Sequence, residues 1–300
     1  MQVSSFGRCR LLQLGLALLM TLAACQFASP SRGSDPPDSK SGEKREDLAP
    51  PTKAELTDQR MIFMKAALSR FAVKLGDREE PARVGDPCLR FTNPLTDVTD
   101  GVVALYAFDR GRPAVLAQFF RNAPRSWVTE FAIMSELDVT ILREDRPFWK
   151  PAEYVSKFTD LPDSPVPAAK PVLRLVQMRN IAEDFSVVDH FGAQEITKYD
   201  LRLLSKPVYR YSGEGKILDG CLFIFALGTN PECSLLLEAY QDENGSRYRY
   251  ALSPVTIYEL EAQYKGRPVW GIERRMVFGS NCRTYYASGY SPAPGETVPE

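Results

Sequence analysis

The chain has 300 residues, a net charge of −1 and one histidine. That length suits one large domain or two of ordinary size, and the near-zero charge excludes general attraction to nucleic acid or anionic lipid. A single histidine, His190, sets aside histidine-rich metal sites and leaves one partner for Ser-His or Cys-His chemistry.

Residues 1–24 read as an export signal, with Arg8 and Arg10 ahead of an apolar run from Leu11 to Leu22 that is short for a membrane span. Leu22-Ala23-Ala24-Cys25 then resembles the bacterial lipobox. That resemblance implies that Cys25 is lipidated and becomes the first mature residue, and Gln26 in place of Asp argues against inner-membrane retention. The expected setting is the cell envelope, with the protein membrane-anchored and facing periplasm or cell exterior. Residues 25–58 are polar and proline-bearing, so they cannot bury enough apolar surface to fold, and they read as a tether with a reach of roughly 30 Å.

The remainder reads as α+β and sheet-rich, in two tandem helix-plus-antiparallel-meander units with a pseudo-twofold axis. Met61, Met64, Leu68 and Phe71 carry helical spacing, as do Leu175, Met178, Ala182 and Phe185, at a constant offset of 114. Leu89-Arg90-Phe91 and Leu201-Arg202-Leu203 follow as matching short strands. The strongest match is Asp100-Gly101 with Asp219-Gly220, each opening an unbroken apolar run, 119 residues apart. Such runs predict strands covered on both faces, one by the helix and the other by the second unit. Hairpin signals and return strands follow, then period-2 strands with Trp127, Thr129, Phe131 and Ile133 on one face, and Tyr248, Tyr250 and Leu252 on one face. The boundaries are 59–149 for the first unit, 150–172 for a proline-rich surface connector, 173–270 for the second unit and 271–300 for a C-terminal extension.

Four cysteines outside the leader, Cys88, Cys221, Cys233 and Cys282, allow three disulfide pairings in an oxidising compartment, Cys88 with Cys282 among them; the alternative is buried free thiols. No Cys-x-x-Cys or Cys/His cluster is present, so neither metal nor cofactor is expected.

No residue set reads as catalytic. His190 beside Asp189 is weighed as a general base against an ordinary loop histidine. Glu259 and Glu261 share one strand face about 7 Å apart, as a solvated pair or a glycosidase-like one. Arg146-Pro147-Phe148-Trp149 and Arg267-Pro268-Val269-Trp270 close the two units. Arg146, Trp149, Arg267 and Trp270 are therefore candidates for matching surface clamps with Trp as a stacking plate, against the plainer reading of protected sheet edges.

At Arg174–Val187, Leu201–Tyr211, Asp219–Ala239 and the Arg-Pro-x-Trp closures, the sequence resembles an uncharacterised family of exported proteins abundant in planctomycete bacteria. The resemblance spans most of residues 60–270 and implies a bacterial envelope setting, but no activity. The expectation is a lipid-anchored, non-catalytic binding module for an envelope protein or polymer. The alternatives are a divergent carboxylate hydrolase acting on saccharide, or a purely structural component. A deep cleft between the units, lined by two carboxyls with raised pKa values, would favour the hydrolase.

Overall fold

The computed structural model describes residues 52–108, 111–122, 126–154, 156–192, 195–212 and 215–299. The export signal, Cys25 and most of the tether lie outside the described residues. The stretch expected to be unfolded up to residue 58 nevertheless runs into a helix. Thr52 accepts from the Glu55 amide and Glu55 reaches back to the Thr52 amide, and this capping box starts helix α1 at Lys53–Ser69. Its first two turns are polar and exposed, which hid them from a hydrophobic pattern; Phe63, Met64, Ala67 and Leu68 form the buried face.

Eight strands follow α1: β1 (Phe71–Leu75), β2 (Ala82–Arg83), β3 (Leu89–Asn93), β4 (Val98–Phe108), β5 (Arg112–Asn122), β6 (Ser126–Ile133), β7 (Val139–Arg143) and β8 (Arg146–Trp149). The connector supplies β9 (Thr159–Asp160). After it come α2 (Pro171–Glu183), β10 (Phe185–Phe191), β11 (Thr197–Asp200), β12 (Arg202–Leu203), β13 (Tyr209–Tyr211), β14 (Ile217–Leu227), β15 (Asn230–Asp242), β16 (Gly245–Pro254), β17 (Glu259–Tyr264), β18 (Arg267–Ile272) and β19 (Tyr285–Gly289). All pairing is antiparallel, in four sheets ordered β2-β1-β7-β8, β19-β6-β5-β4-β3, β12-β14-β15-β16-β9 (with β13 also on β14) and β11-β10-β17-β18.

The two long sheets face each other. Along β4, Val102, Ala104 and Tyr106 join the core beneath α1, while Val103 and Leu105 turn the other way. Along β14, Cys221, Phe223 and Phe225 join the core beneath α2, while Leu222, Ile224 and Ala226 turn to meet Val103 and Leu105 in a third, shared core. Both apolar runs are thus buried on two faces, which is why neither alternates. Hydrogen bonds cross the same junction: Ser253 Oγ donates to the Ile133 carbonyl at 3.0 Å, and Asn93 donates to the Leu227 carbonyl at 3.2 Å.

Each Asp-Gly pair has a similar local setting. Arg90 grips Asp100 with two bonds of 2.8 and 2.6 Å, and Phe91 pairs with Gly101. Arg210 grips Asp219 with bonds of 3.0 and 2.7 Å, and Tyr211 pairs with Gly220. So the strand facing Asp219-Gly220 as β3 faces Asp100-Gly101 is β13, not the Leu201-Arg202-Leu203 segment; Arg202 and Leu203 pair farther along β14 with Ala226 and Phe225. Bulges add to the likeness: one extra residue, Ala114, interrupts β5 after Pro113, and one extra residue, Glu232, interrupts β15 after Pro231.

The connector is more than a surface spacer. Leu161 enters the core beneath α2, and Thr159 and Asp160 pair with Tyr250 and Arg249. The extension from Gly271 runs back across the molecule, where β19 extends the sheet of the first half alongside β6, and Arg70 bonds Glu296 at 3.0 Å.

Candidate functional site

The deepest chemistry sits where the two halves meet. On β6, alternation sends Trp127, Phe131 and Ile133 into the core beneath α1, so Glu130 points the other way, toward the second half. Glu232 owes its position to the β15 bulge; an unpaired bulge residue escapes the strand's alternation and is re-aimed. Both carboxyls line one cleft of about 340 Å³, with Asn122, Asn230, Thr256 and Tyr258 around them. Phe120, Phe191 and Phe278 give it aromatic walls, the last from the C-terminal extension.

Burial dominates the electrostatics. Glu232 is 2% exposed, and burial, followed by the nearby Asp189 charge, pushes its carboxyl well above the usual carboxylate range. Asn230 donates to Glu232 Oε1 at 2.5 Å and partly offsets this. Glu130 keeps part of its surface in the cleft, yet the packing around it pushes it up to about 7. Tyr285 Oη donates to Glu130 Oε2 at 2.7 Å, and Gln118 Nε2 donates to the same oxygen at 3.2 Å. Asp189, fully buried behind the cleft, is pushed up to about 7 by burial, against the pull of Arg274. Several acceptors at the site, Asn122 Oδ1, Asn230 Oδ1 and Gln118 Oε1, are buried with no hydrogen-bond partner among the described residues. Each such group costs about 1–3 kcal/mol unless something donates to it. Two acids protonated near neutrality and a set of unused acceptors form a surface suited to a neutral ligand rich in hydroxyls.

A larger hollow of about 610 Å³ lies near Arg112, Lys216, Tyr240 and Arg249, and both of its arginines are already held by Glu238. The fully buried Glu238 takes Arg112 Nε at 2.8 Å, Arg249 Nη2 at 2.6 Å and the Tyr211 hydroxyl at 2.5 Å. That cluster ties β5 to β15 and β16 and engages both arginines with the one buried carboxylate, so the smaller cleft is the better candidate.

The residues singled out from sequence fall elsewhere. Trp149 is buried, with its indole N–H donated to the Cys282 carbonyl at 2.9 Å, so it has no face to offer a ligand. Trp270 is half-buried at the edge of a different sheet, while Arg146 and Arg267 are exposed on the two edge strands β8 and β18. Both tetrapeptides thus lie on sheet edges, and the buried Trp149 cannot act as a stacking plate. The cysteines are free thiols. Cys221 faces Leu237 and Cys233 faces Phe225, four rungs apart, or roughly 13 Å against the 7 Å limit for a disulfide. Cys88 precedes β3 and Cys282 precedes β19, on opposite edges of a five-stranded sheet, so that pairing is also out of reach. Burial pushes the Cys221 thiol up to about 12 and Cys88 up to about 11, which makes them packing residues and poor nucleophiles.

His190 and Asp189 point to opposite faces of β10. His190 instead lies between Glu259 and Glu261, which β17 brings alongside. In the sequence only its polar place on a strand whose other face is buried separates Glu130 from the chain's other carboxylates. Glu232 carried no signal, since its position depends on a bulge. No family model, curated protein or solved structure matches the chain.

Proposed function

We propose that the chain is a lipid-anchored envelope protein that holds a saccharide-like ligand in the cleft between two duplicated halves. The carrying observation is that Glu130 and Glu232, one from each half, converge on a single cleft with carboxyls held up toward or above neutrality. Protonated acids donate hydrogen bonds to hydroxyls, the unused amide oxygens accept them, and aromatic walls stack on the C–H faces of a sugar ring.

The duplication supports this reading. Under the register of the bulged hairpins, Glu232 corresponds to Ala114, and Glu130 corresponds to Ala251. Both alanines are buried. The shared packing recurs in both halves and the two acids do not, so packing alone does not call for them. Cys25 would supply the anchor, and a shortened tether of 25–51 would hold the cleft near a membrane surface; the same cell-surface setting is what the resemblance to exported planctomycete proteins implies.

Binding is tested by titrating soluble oligosaccharides from a bacterial cell-wall digest into the protein and into Glu130→Gln and Glu232→Gln. The reading expects saturable binding that weakens about tenfold or more in each variant. Binding unaltered by both changes would move the site elsewhere. The same raised carboxyls meet the condition set above for a hydrolase, and a second reading follows from them: general acid–base cleavage of that ligand, with Glu232 as proton donor and Glu130, near neutrality, as base. Release of shorter oligosaccharides that stops in either variant distinguishes it from binding alone.

A further inference from the structure

We propose a divalent transition-metal site, suited to Zn²⁺, on the outer face of the sheet β11-β10-β17-β18. It is built from His190, Glu259 and Glu261 and is separate from the cleft. The antiparallel register makes the site. His190 pairs with Glu259, and Val188 with Glu261, so the three polar side chains share one face, with the two glutamates two residues apart flanking the imidazole. Phe185, Val187 and Leu260, on the opposite face, belong to the core.

The imidazole is held where a ligand is useful. His190 is 6% exposed. Its Nδ1 lies 3.3 Å from Glu259 Oε1, while its Nε2 lies 3.6 Å from Glu261 Oε2 and has no hydrogen-bond partner among the described residues. One donor atom from each of the three residues lies within 4.8 Å of the others. The edge of a tetrahedron with bonds of 2.0–2.1 Å is about 3.3 Å, so small side-chain rotations bring the three donors around one ion. Glu259 and Glu261 are 36% and 56% exposed at the side chain, which leaves a route for the ion and positions for water. Lys198, across from His190 on β11, is exposed, and the Arg274 guanidinium donates to the His190 carbonyl at 2.7 Å, so two carboxylates and two cations lie at the site. One nitrogen and two carboxylates make a borderline donor set that suits Zn²⁺ better than Mg²⁺ or Ca²⁺.

The test is calorimetric titration of the full chain with Zn²⁺, paired with Co²⁺ as a visible-absorbing substitute. The site predicts one saturable equivalent, a Co²⁺ d–d band without thiolate charge transfer, and an affinity that falls tenfold or more in Glu259→Gln and in Glu261→Gln. His190→Ala should abolish it. Because His190 is buried, the two exposed glutamates keep the test open if that variant does not fold. No saturable binding, an affinity unchanged in both glutamine variants, or a thiolate band each overturn the site.

Discussion

Replacing Gly220 with alanine should cost far more than its small volume suggests. A β-carbon at Gly220 would sit 2.2 Å from Tyr211 Cζ and 2.5 and 2.6 Å from the adjoining ring carbons. The ring has to retreat by more than an ångström, and it is not free to do so. Its hydroxyl donates to Glu238 at 2.5 Å, and Glu238 is fully buried between Arg112 and Arg249. Overpacking costs about 1–3 kcal/mol, and losing a hydrogen bond to a buried charged group adds about 1.5–3 kcal/mol, so Gly220→Ala should destabilise by about 3–5 kcal/mol. Gly101 is the internal control. Its β-carbon would meet Phe120 Cβ at 2.7 Å and Phe91 Cζ at 2.8 Å, but neither ring holds a buried acid, so the expected loss is about 1–3 kcal/mol. Denaturant unfolding at constant m-value measures both. Introducing Gly220→Ala into a Tyr211→Ala background should recover most of the loss, because the clashing ring is gone. A Gly220→Ala loss below about 0.5 kcal/mol, or no coupling with Tyr211, would refute the reasoning.

Other outcomes follow from the same geometry. The raised acids make stability fall as pH rises. Below 4.5 both states hold the Glu130 proton; between 4.5 and about 7 the unfolded chain releases it while the folded chain keeps it. The slope is at most about 1.4 kcal/mol per pH unit per group, reduced for Glu130 by its partial exposure, and Glu232→Gln should flatten it when unfolding is followed across that window. Under native conditions Cys221 and Cys233 should resist alkylation and react only in denaturant, as read by peptide mass; rapid native labelling would contradict their burial. Trp149→Phe should cost about 1–3 kcal/mol by orphaning the Cys282 carbonyl and leaving a gap beneath α1, read from the unfolding midpoint. Cells fed a clickable fatty acid should label the wild type and not Cys25→Ala.

Sheet content, the two helices and the doubly buried strands were legible because they are carried by local pattern. Val102 to Tyr106 and Leu222 to Phe225 are apolar at every position, and only two-sided cover explains that. The start of α1 was hidden because capping, not hydrophobicity, sets it. β13 was missed because a three-residue edge strand carries too little pattern to be recognised. The site was less legible than the fold for a physical reason. Glu232 is aimed by one extra residue in a strand, and Glu130 acquires its environment from Tyr285, some 155 residues away. Trp149 and Trp270 drew attention as repeated aromatic residues, yet repetition marked packing, while the cleft acids lie where the halves differ.

The central claim is that the cleft between the halves holds two carboxylic acids that stay protonated toward neutrality and meet the ligand. Side-chain carboxyl NMR of ¹³C-labelled glutamate tests it most directly, with Glu130→Gln and Glu232→Gln as assignments. Two resonances should titrate well above the ordinary carboxyl range, one near 7 and one higher, each lost in one variant, and both should shift when oligosaccharide is added. If every glutamate instead titrates near 4.5 and none responds to ligand, the cleft is not the site.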